Sequence, residues 1–454
     1  MSLTIVILAA GKGTRMKSSK PKVMHRLAGK PLLQHVIDTA KQLSPENLVV
    51  VCGNGGNEVV PYVQHQSIET VMQVEQKGTA HAVEQAKASF ANSDEVLVLY
   101  GDVPLISAET LQDLIGCGDH NSLKVLTAIL DDPTGYGRIV RDYDDNMLSI
   151  VEHKDADEET LLINEINTGI MCIPGKWLAE ALSHIDNNNS QGEYYLPDLI
   201  AMAVAQGISI NSVTCEDEME VAGVNNRVQL AELESYYQQK RATALMMAGV
   251  TFCDPARIDI RGQLEAGQDI SVDINVIFEG DNKIADNVSI GANCIIINSI
   301  LHEGAEILPN SIVENAEVGA HCSVGPFARL RPGTKLAAKA KVGNFVEIKN
   351  ANIGLGSKIN HLSYIGDTDM GADVNIGAGT ITCNYDGANK HRTVIGDRVF
   401  VGSDTQLVAP VTVEDGATIG AGSTIRKTAP ADALTLTKSE QRTVKGWQRP
   451  VKKK

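Results

Sequence analysis

From Leu8 to Lys22 the chain reads LAAGKGTRMKSSKPK: Gly11 and Gly13 directly behind an apolar run, then Arg15, Lys17, Lys20 and Lys22. A residue without Cβ lets peptide N–H groups come close to an anion, and the cations that follow supply counter-charge, so the spacing suits the cradling of phosphate. Two familiar phosphate loops are excluded. The dinucleotide fingerprint needs a third glycine where Met16 stands, and the Walker pattern needs Gly-Lys-Ser/Thr after four spacers, which this stretch lacks. Asp102 ends a second apolar run, VLVLYGD, and is either a turn former or a ligand for a hard cation. His361, in KINHLSYIGD, is either the cap of a chain corner or an imidazole base that takes a proton from an attacking amine. Glu347 is a carboxylate available to orient that ring.

These residues need elements to hold them. From Leu3 to about Val224, continuous apolar runs (TIVILAA, NLVVVCG, EVLVLYGDVPL, LKVLTAIL) alternate with helix-like stretches such as LLQHVIDTAKQL and TAHAVEQAKASF. Runs that do not alternate suit strands buried on both faces, so this part is predicted as an α/β, Rossmann-like, doubly wound layer with a mostly parallel sheet. Its ligands would gather outside the carboxyl ends of the strands, where Gly11 and Asp102 fall. The segment 227–250 is predicted as a helical connector, with Val228, Leu230, Leu233 and Tyr237 spaced for one face.

A different rhythm governs 251–454. Aliphatic residues recur at every sixth position at Val318, Val324, Leu330, Leu336, Val342 and Ile348, and again at Ile395, Val401, Leu407, Val413, Ile419 and Ile425; Ile284, Ile290 and Ile296 form a shorter run. Neither a helix nor a hairpin sheet has that period, whereas a prism whose flat faces each take six residues turns every such residue inward. With three hexapeptides per coil, Ile395 should stack against Val413. The rhythm skips at Ile353 and Met370 and breaks between Ile381 and Ile395, where TCNYDGANKHRT is either a solvated turn or a loop free to meet a ligand or a neighbouring subunit.

The formal charge of -16 argues against nucleic acid as a partner, though not against small phosphorylated ligands. Eight scattered cysteines without a CxxC fit reduced thiols in a cytosolic protein. The apolar N-terminus is too short for an export signal, lacks a basic region before it, and reads as a buried strand; no run has the length of a membrane span. The basic C-terminal KKK reads as a solvated tail.

ILAAGKGTRM followed by KPK resembles the loop of sugar-phosphate nucleotidyltransferases, and the hexapeptide half resembles the acyltransferases built on a left-handed parallel β-helix. Together with QKGTAHA, DDPTGYGRIV, VEHKDA, EINTGI, GEYYLPD, GVNNR, GPFARLRPG, GNFVEIKNA and NIGAGTITCNYDGANK, the order of parts is similar, over nearly the whole chain, to a bacterial family. That family comprises bifunctional N-acetylglucosamine-1-phosphate uridyltransferases and glucosamine-1-phosphate acetyltransferases. The resemblance implies a nucleotidyltransferase domain over 1–226, a helical linker over 227–250 and a β-helical acetyltransferase domain over 251–454, with UTP and acetyl-CoA as co-substrates, Mg²⁺ as cofactor and a homotrimeric assembly.

By the same resemblance, Leu8, Ala9, Ala10, Gly11, Gln73, Gly78 and Thr79 would form the uridine pocket, with Tyr100 and Gly101 beside it and Arg15 and Lys22 on the triphosphate. Gly137, Glu152 and Asn167 would contact the amino sugar, and Asp102 and Asn225 would hold Mg²⁺. In the solenoid, Arg331 and Lys349 would take the sugar phosphate, Tyr364 and Asn375 the amino sugar, and His361 would be the general base. Ala378, Asn384, Tyr385, Ser403 and Ala421 would serve acetyl-CoA. Lys438 stands where the family often has arginine, which keeps the charge and loses the bidentate fork. Two other readings remain at this point: a nucleotidyltransferase with a regulatory solenoid, and a solenoid that serves only assembly and binding.

Overall fold

The computed structural model describes residues 2–11, 13–53, 58–438 and 440–452. Of the terminal lysine run, only Lys452 is among them. The chain divides into two compact units, Met1–Tyr237 and Gln238–Lys454.

In the first unit the apolar runs become strands of one sheet. The path through it takes strand Ile210–Cys215, then Leu123–Ile129, Glu165–Pro174, Glu95–Tyr100, Leu3–Ala9, Asn47–Gly53 and Glu69–Gln73. Both neighbours of Leu3–Ala9 run parallel to it, with Leu8 paired to Val51 on one side and Tyr100 on the other. After Leu3–Ala9 the chain builds outward in one direction and then returns to lay Glu95–Tyr100 on the opposite side. Such a reversal leaves a crevice at the strand ends where no crossing connection covers it. The long strand Glu165–Pro174 runs antiparallel to both its neighbours, a reversal that an apolar run by itself does not encode. The predicted helix over 32–43 forms as Leu32–Gln42, and that over 79–90 splits at Ala86 into Thr79–Gln85 and Lys87–Phe90.

Helix Arg227–Met247 occupies the predicted connector. Its expected single apolar face is incomplete: Leu233 is buried, and Leu230 and Tyr237 pack with it against Met16, Leu27, Leu32 and Val224, but Val228 is 66% exposed.

The second unit is a left-handed parallel β-helix of triangular section. Three inward columns run along it: Ile290, Ile307, Val324, Val342, Ile359, Ile376, Val401 and Ile419; then Ile296, Val313, Leu330, Ile348, Ile365, Leu407 and Ile425; then Leu301, Val318, Leu336, Ile353, Met370, Ile395 and Val413, all buried. Ile395 pairs with Val413 as the repeat predicts. The skips have a local cause: in coils where one face is a residue short, the corner is turned by Asn298, Asn315, Asn350 or Asp367 at φ 43° to 48°. Asn and Asp tolerate that left-handed geometry better than other residues with a side chain. At the large break the inward place falls to Thr382, fully buried, while Ile381 is 42% exposed. The Thr382 hydroxyl accepts from Gly366 N–H at 2.7 Å, so a polar link replaces an aliphatic contact beneath the extruded loop.

Candidate functional site

The first site forms at the strand reversal. A cavity of about 480 Å³ is lined by Leu8, Ala9, Ala10, Gly11, Lys22, Val23, Gln73, Gln76, Gly78, Thr79, Ala82, Tyr100, Asp102 and Glu193. Strand Leu3–Ala9 delivers the first four, and strand Glu95–Tyr100 delivers Tyr100 and Asp102, with Gly101 N–H bonded to the Leu8 carbonyl at 2.9 Å. Two glycines set the walls. Gly13, at φ 60°, has no room for a Cβ, which would lie 2.7 Å from the Lys22 Cβ, so the basic segment folds directly over the loop. Gly78, at φ 118°, would place a Cβ 2.4 Å from the Tyr194 carbonyl oxygen. That oxygen accepts from Ala80 N–H at 3.0 Å, and the Thr79 hydroxyl accepts from Leu196 N–H at 3.0 Å, so GEYYLPD braces the wall carrying Gly78 and Thr79.

Side-chain roles in this wall are narrower than their types suggest. Gln73 is 3% exposed, and its amide nitrogen donates to the Gly78 carbonyl at 3.0 Å and faces His81 Nδ1 at 3.0 Å. Both donor hydrogens are thus engaged within the protein, which leaves the Gln73 carbonyl oxygen as its free polar atom for a ligand. Gln76, Val23, Ala82 and Glu193 were not among the expected residues, although Gln76 opens QKGTAHA and Glu193 lies in GEYYLPD. Gln76 Nε2 donates to the Ala10 carbonyl, tying the glycine-bearing loop to the opposite wall.

Cations and oxygen donors converge at one end. The Lys22 ammonium contacts Asp102 Oδ2 and lies 3.3 Å from Asn225 Oδ1, while Arg15 Nη2 donates to that same amide oxygen at 2.8 Å. A carboxylate and an amide oxygen therefore share one positive group. The donor set fits Mg²⁺, which binds few protein oxygens and fills its shell with water and phosphate. No cluster of three or more His, Cys, Asp or Glu poised for a metal occurs among the described residues. Gly137, Glu152 and Asn167 form a neighbouring group: Asn167 N–H donates to the Gly137 carbonyl at 2.9 Å, and a Cβ on Gly137 would lie 3.2 Å from Glu152 Oε1. Burial, with Asp155 and Asp198 adding repulsion, raises the Glu152 pKa. Burial also raises that of Tyr100, with help from Glu152 and Asp102.

The second set lies on the solenoid. Strand pairing aligns Asn344 with His361, Ile359 with Ile376, Ile376 with Val401, and Val401 with Ile419. Two residues beyond each aliphatic position come His361, Ala378, Ser403 and Ala421, which the register therefore places in one file along a single corner. A Cβ on Gly377 would lie 2.5 Å from Ser403 N, and one on Gly402 2.5 Å from Ala421 N, so the backbone at this corner is packed closely. His361 is exposed and precedes Leu362, which holds φ 46°. Its Nδ1 faces Asn344 Oδ1 at 3.0 Å. Glu347 does not orient the ring, as it bonds Arg331 Nη1 at 2.6 Å instead. The reason is register: Glu347 pairs with Arg329 and Tyr364 on the adjoining face, whereas Asn344 is the direct partner of His361.

That adjoining face gathers Arg331, Lys349 and Tyr364 with Asn384 and with Lys390, which sequence reasoning missed although it ends NIGAGTITCNYDGANK. The Lys390 amine beside Lys349, then burial, then the Lys390 and Arg331 charges lower the Lys349 pKa. Asp367 is the counter-charge. Burial pushes its carboxyl up, but donors from Asn350 and Asn384 and the ammonium groups of Lys349 and Lys390 bring it below the usual range. The three cations Arg331, Lys349 and Lys390 against the two carboxylates Asp367 and Glu347 leave a surplus of positive charge suited to a phosphate. In the extruded loop Asp386 accepts from Ala388 and Asn389 N–H at 2.8 and 2.7 Å and meets His391 Nε2 at 2.7 Å, and Tyr385 is 61% exposed. Asn375 sits on the face before the His361 corner, paired to Lys358 and Phe400. Lys438 is exposed just beyond Thr437, whose N–H donates to Ser423 Oγ at 3.2 Å. No disulfide joins the described cysteines, and no described helix is long and apolar enough to cross a membrane.

Comparison with known proteins matches residues 5–159 to the MobA-like NTP transferase domain and residues 392–427 to the bacterial transferase hexapeptide, as six repeats. Among solved structures the chain is similar to UDP-glucose pyrophosphorylase complexed with UDP-glucose, with 19% identity over 53% of this chain and 100% of that chain and a TM-score of 0.43. The chain thus joins a nucleotidyltransferase domain to transferase hexapeptide repeats, an arrangement that supports a sugar-nucleotide transferase.

Proposed function

We propose that the chain catalyses two reactions: acetyl transfer from acetyl-CoA to glucosamine-1-phosphate on the solenoid, and uridylyl transfer from UTP to the resulting N-acetylglucosamine-1-phosphate in the first unit. The observation that carries the reading is the single cavity uniting the Leu8–Gly11 loop, Lys22, Gln73, Gly78, Thr79, Tyr100 and Asp102. In the uridylyl step a phosphate oxygen of the sugar attacks the α-phosphorus of UTP, an O–P bond forms, and the bond to pyrophosphate breaks. Positioning and charge neutralisation carry such a step, with no covalent nucleophile. Peptide N–H groups around Gly11 face the phosphates, and Arg15 and Lys22 balance their charge. Asp102 and Asn225 would hold Mg²⁺, which supplies further charge neutralisation on the phosphates when bound.

In the acetyl step the amine nitrogen of the sugar attacks the thioester carbon. An N–C bond forms, the C–S bond breaks, and the amine proton passes to His361. With Asn344 Oδ1 facing Nδ1, the ring carries its hydrogen there and keeps the Nε2 lone pair for that proton, which then protonates the departing CoA thiolate. Arg331, Lys349 and Lys390 would fix the sugar phosphate, and Ala378, Asn384, Tyr385, Ser403, Ala421 and Lys438 would serve acetyl-CoA. The reading includes a cytoplasmic homotrimer in which neighbouring subunits share the acetyltransfer sites.

Free CoA thiol should appear only when acetyl-CoA and glucosamine-1-phosphate are both present, and pyrophosphate only with UTP and N-acetylglucosamine-1-phosphate. Pyrophosphate without thiol would leave a nucleotidyltransferase whose solenoid regulates or assembles.

A further inference from the structure

The first turn of helix Arg227–Met247 is more than the start of a connector. Asn226 precedes it, and its side-chain oxygen accepts from Val228 N–H at 2.8 Å and Gln229 N–H at 3.0 Å, capping the helix. Three residues on, Gln229 folds back, as in a capping box. Its Oε1 does not take the N–H of the cap residue but that of Asn225, one place earlier, at 2.9 Å. Asn225 is the residue whose Oδ1 meets Arg15 and Lys22 beside Asp102. Next along the turn, Arg227 Nε donates to the Met16 carbonyl at 3.3 Å, at the end of the short 3-10 turn Thr14–Met16 in the phosphate loop. Beneath these bonds Met16, 1% exposed, packs with Leu230 and Leu233 of the same helix.

We propose that Gln229 is a positioning residue for the cation of the uridylyl site, holding the backbone of Asn225 so that its amide oxygen points at the position shared with Asp102. This rests on the uridyltransferase reading above. The physical ground is that a ligand on a loop end loses affinity when its orientation is left to thermal motion, and outer partners that fix a ligand commonly govern roughly 10- to 100-fold in metal affinity. The Asn225 N–H is the only donor that the Gln229 amide oxygen needs for this role, so glutamate can replace glutamine and leucine cannot.

The test uses the full chain with Gln229→Leu, Gln229→Ala and Gln229→Glu. Mn²⁺ binding to the protein saturated with UTP is read from the electron paramagnetic resonance of free Mn²⁺, with UTP alone as blank. Gln229→Leu and Gln229→Ala should weaken Mn²⁺ binding roughly tenfold and raise the Mg²⁺ concentration for half-maximal uridylyl transfer in parallel, with kcat at saturating Mg²⁺ little changed. Gln229→Glu should stay within about twofold of the parent, and acetyl transfer should be unchanged in all three. Parent-like Mn²⁺ binding by Gln229→Leu and Gln229→Ala, or equal weakening in Gln229→Glu, would overturn the assignment. Asp102→Asn serves as the separate control: if it too leaves Mn²⁺ binding intact, the metal site itself is misplaced and the failure lies in the uridyltransferase reading.

Discussion

The two candidate sites are built on opposite principles. In the first unit, groups from strand ends and loops far apart in sequence line the walls of a cleft, with Ala10 tied to Gln76 and Gly78 braced by Tyr194. On the solenoid, the side chains come from successive coils of one regular ladder and stand on an exposed corner and a half-buried face. A walled cleft surrounds much of a ligand with its own groups, whereas a corner of a ladder supplies charge and a base and leaves closure to substrate or to another surface. The contrast teaches that the first site is sensitive to backbone changes in its walls, and the second to individual side chains on a scaffold that tolerates their loss.

His361→Ala tests that separation most severely. Thiol release should fall by roughly 10²- to 10⁴-fold while pyrophosphate formation is unaffected, measured side by side on the same preparation. Loss of both activities together would erase the distinction between the sites. The scaffold itself should fail only from within: Val401→Asp puts a carboxylate at a fully buried position of the inner column and should cost several kcal/mol, seen as a lowered unfolding midpoint in denaturant. An exposed change such as Tyr385→Ala should leave that midpoint in place.

In the first unit the wall is the vulnerable part. Gly78→Ala forces a Cβ against the Tyr194 carbonyl at a left-handed φ, so KM for UTP should rise roughly tenfold with acetyl transfer unchanged. A KM equal to the parent's would mean that the wall does not shape the nucleotide pocket. The smallest effect concerns Asp198, whose carboxyl is pushed up to about 6 by burial and then by Asp186 and Asp155. A carboxyl with a raised folded-state pKa favours the folded chain while protonated; that contribution is whole below about pH 4 and lost as pH rises through about 6. Asp198→Asn should therefore raise the thermal midpoint at pH 8 by roughly 1–2 °C relative to the parent, after allowance for solvent screening, and give no gain at pH 4. A gain of the same size at both pH values would assign the effect to packing.

Much of the solenoid could be read directly from residue order, because its period is local: one aliphatic residue in six turns inward at each face, and the pairing of Ile395 with Val413 follows by counting. Thr382 is the instructive exception. Counting six from Ile376 reaches Thr382, yet residue type alone would turn its aliphatic neighbour Ile381 inward, and the structure buries the threonine. Similarly, Glu347 has the chemistry to orient His361 but the wrong register, and only the pairing of strands brings Asn344 there.

Residue types and spacing by themselves determined the two architectures, the glycine-bearing loop after the first strand and the candidate Asp102, since hydrophobic period and steric demand at glycine act over a few neighbouring residues. The tertiary structure decided which way strand Glu165–Pro174 runs, that Lys390 joins Arg331 and Lys349, that the donors of Gln73 are already engaged, and that Gln229 holds Asn225. Each of these depends on a hydrogen bond, a charge or a strand pairing whose partner is chosen by register and chain direction, and those emerge only when separate segments pack together.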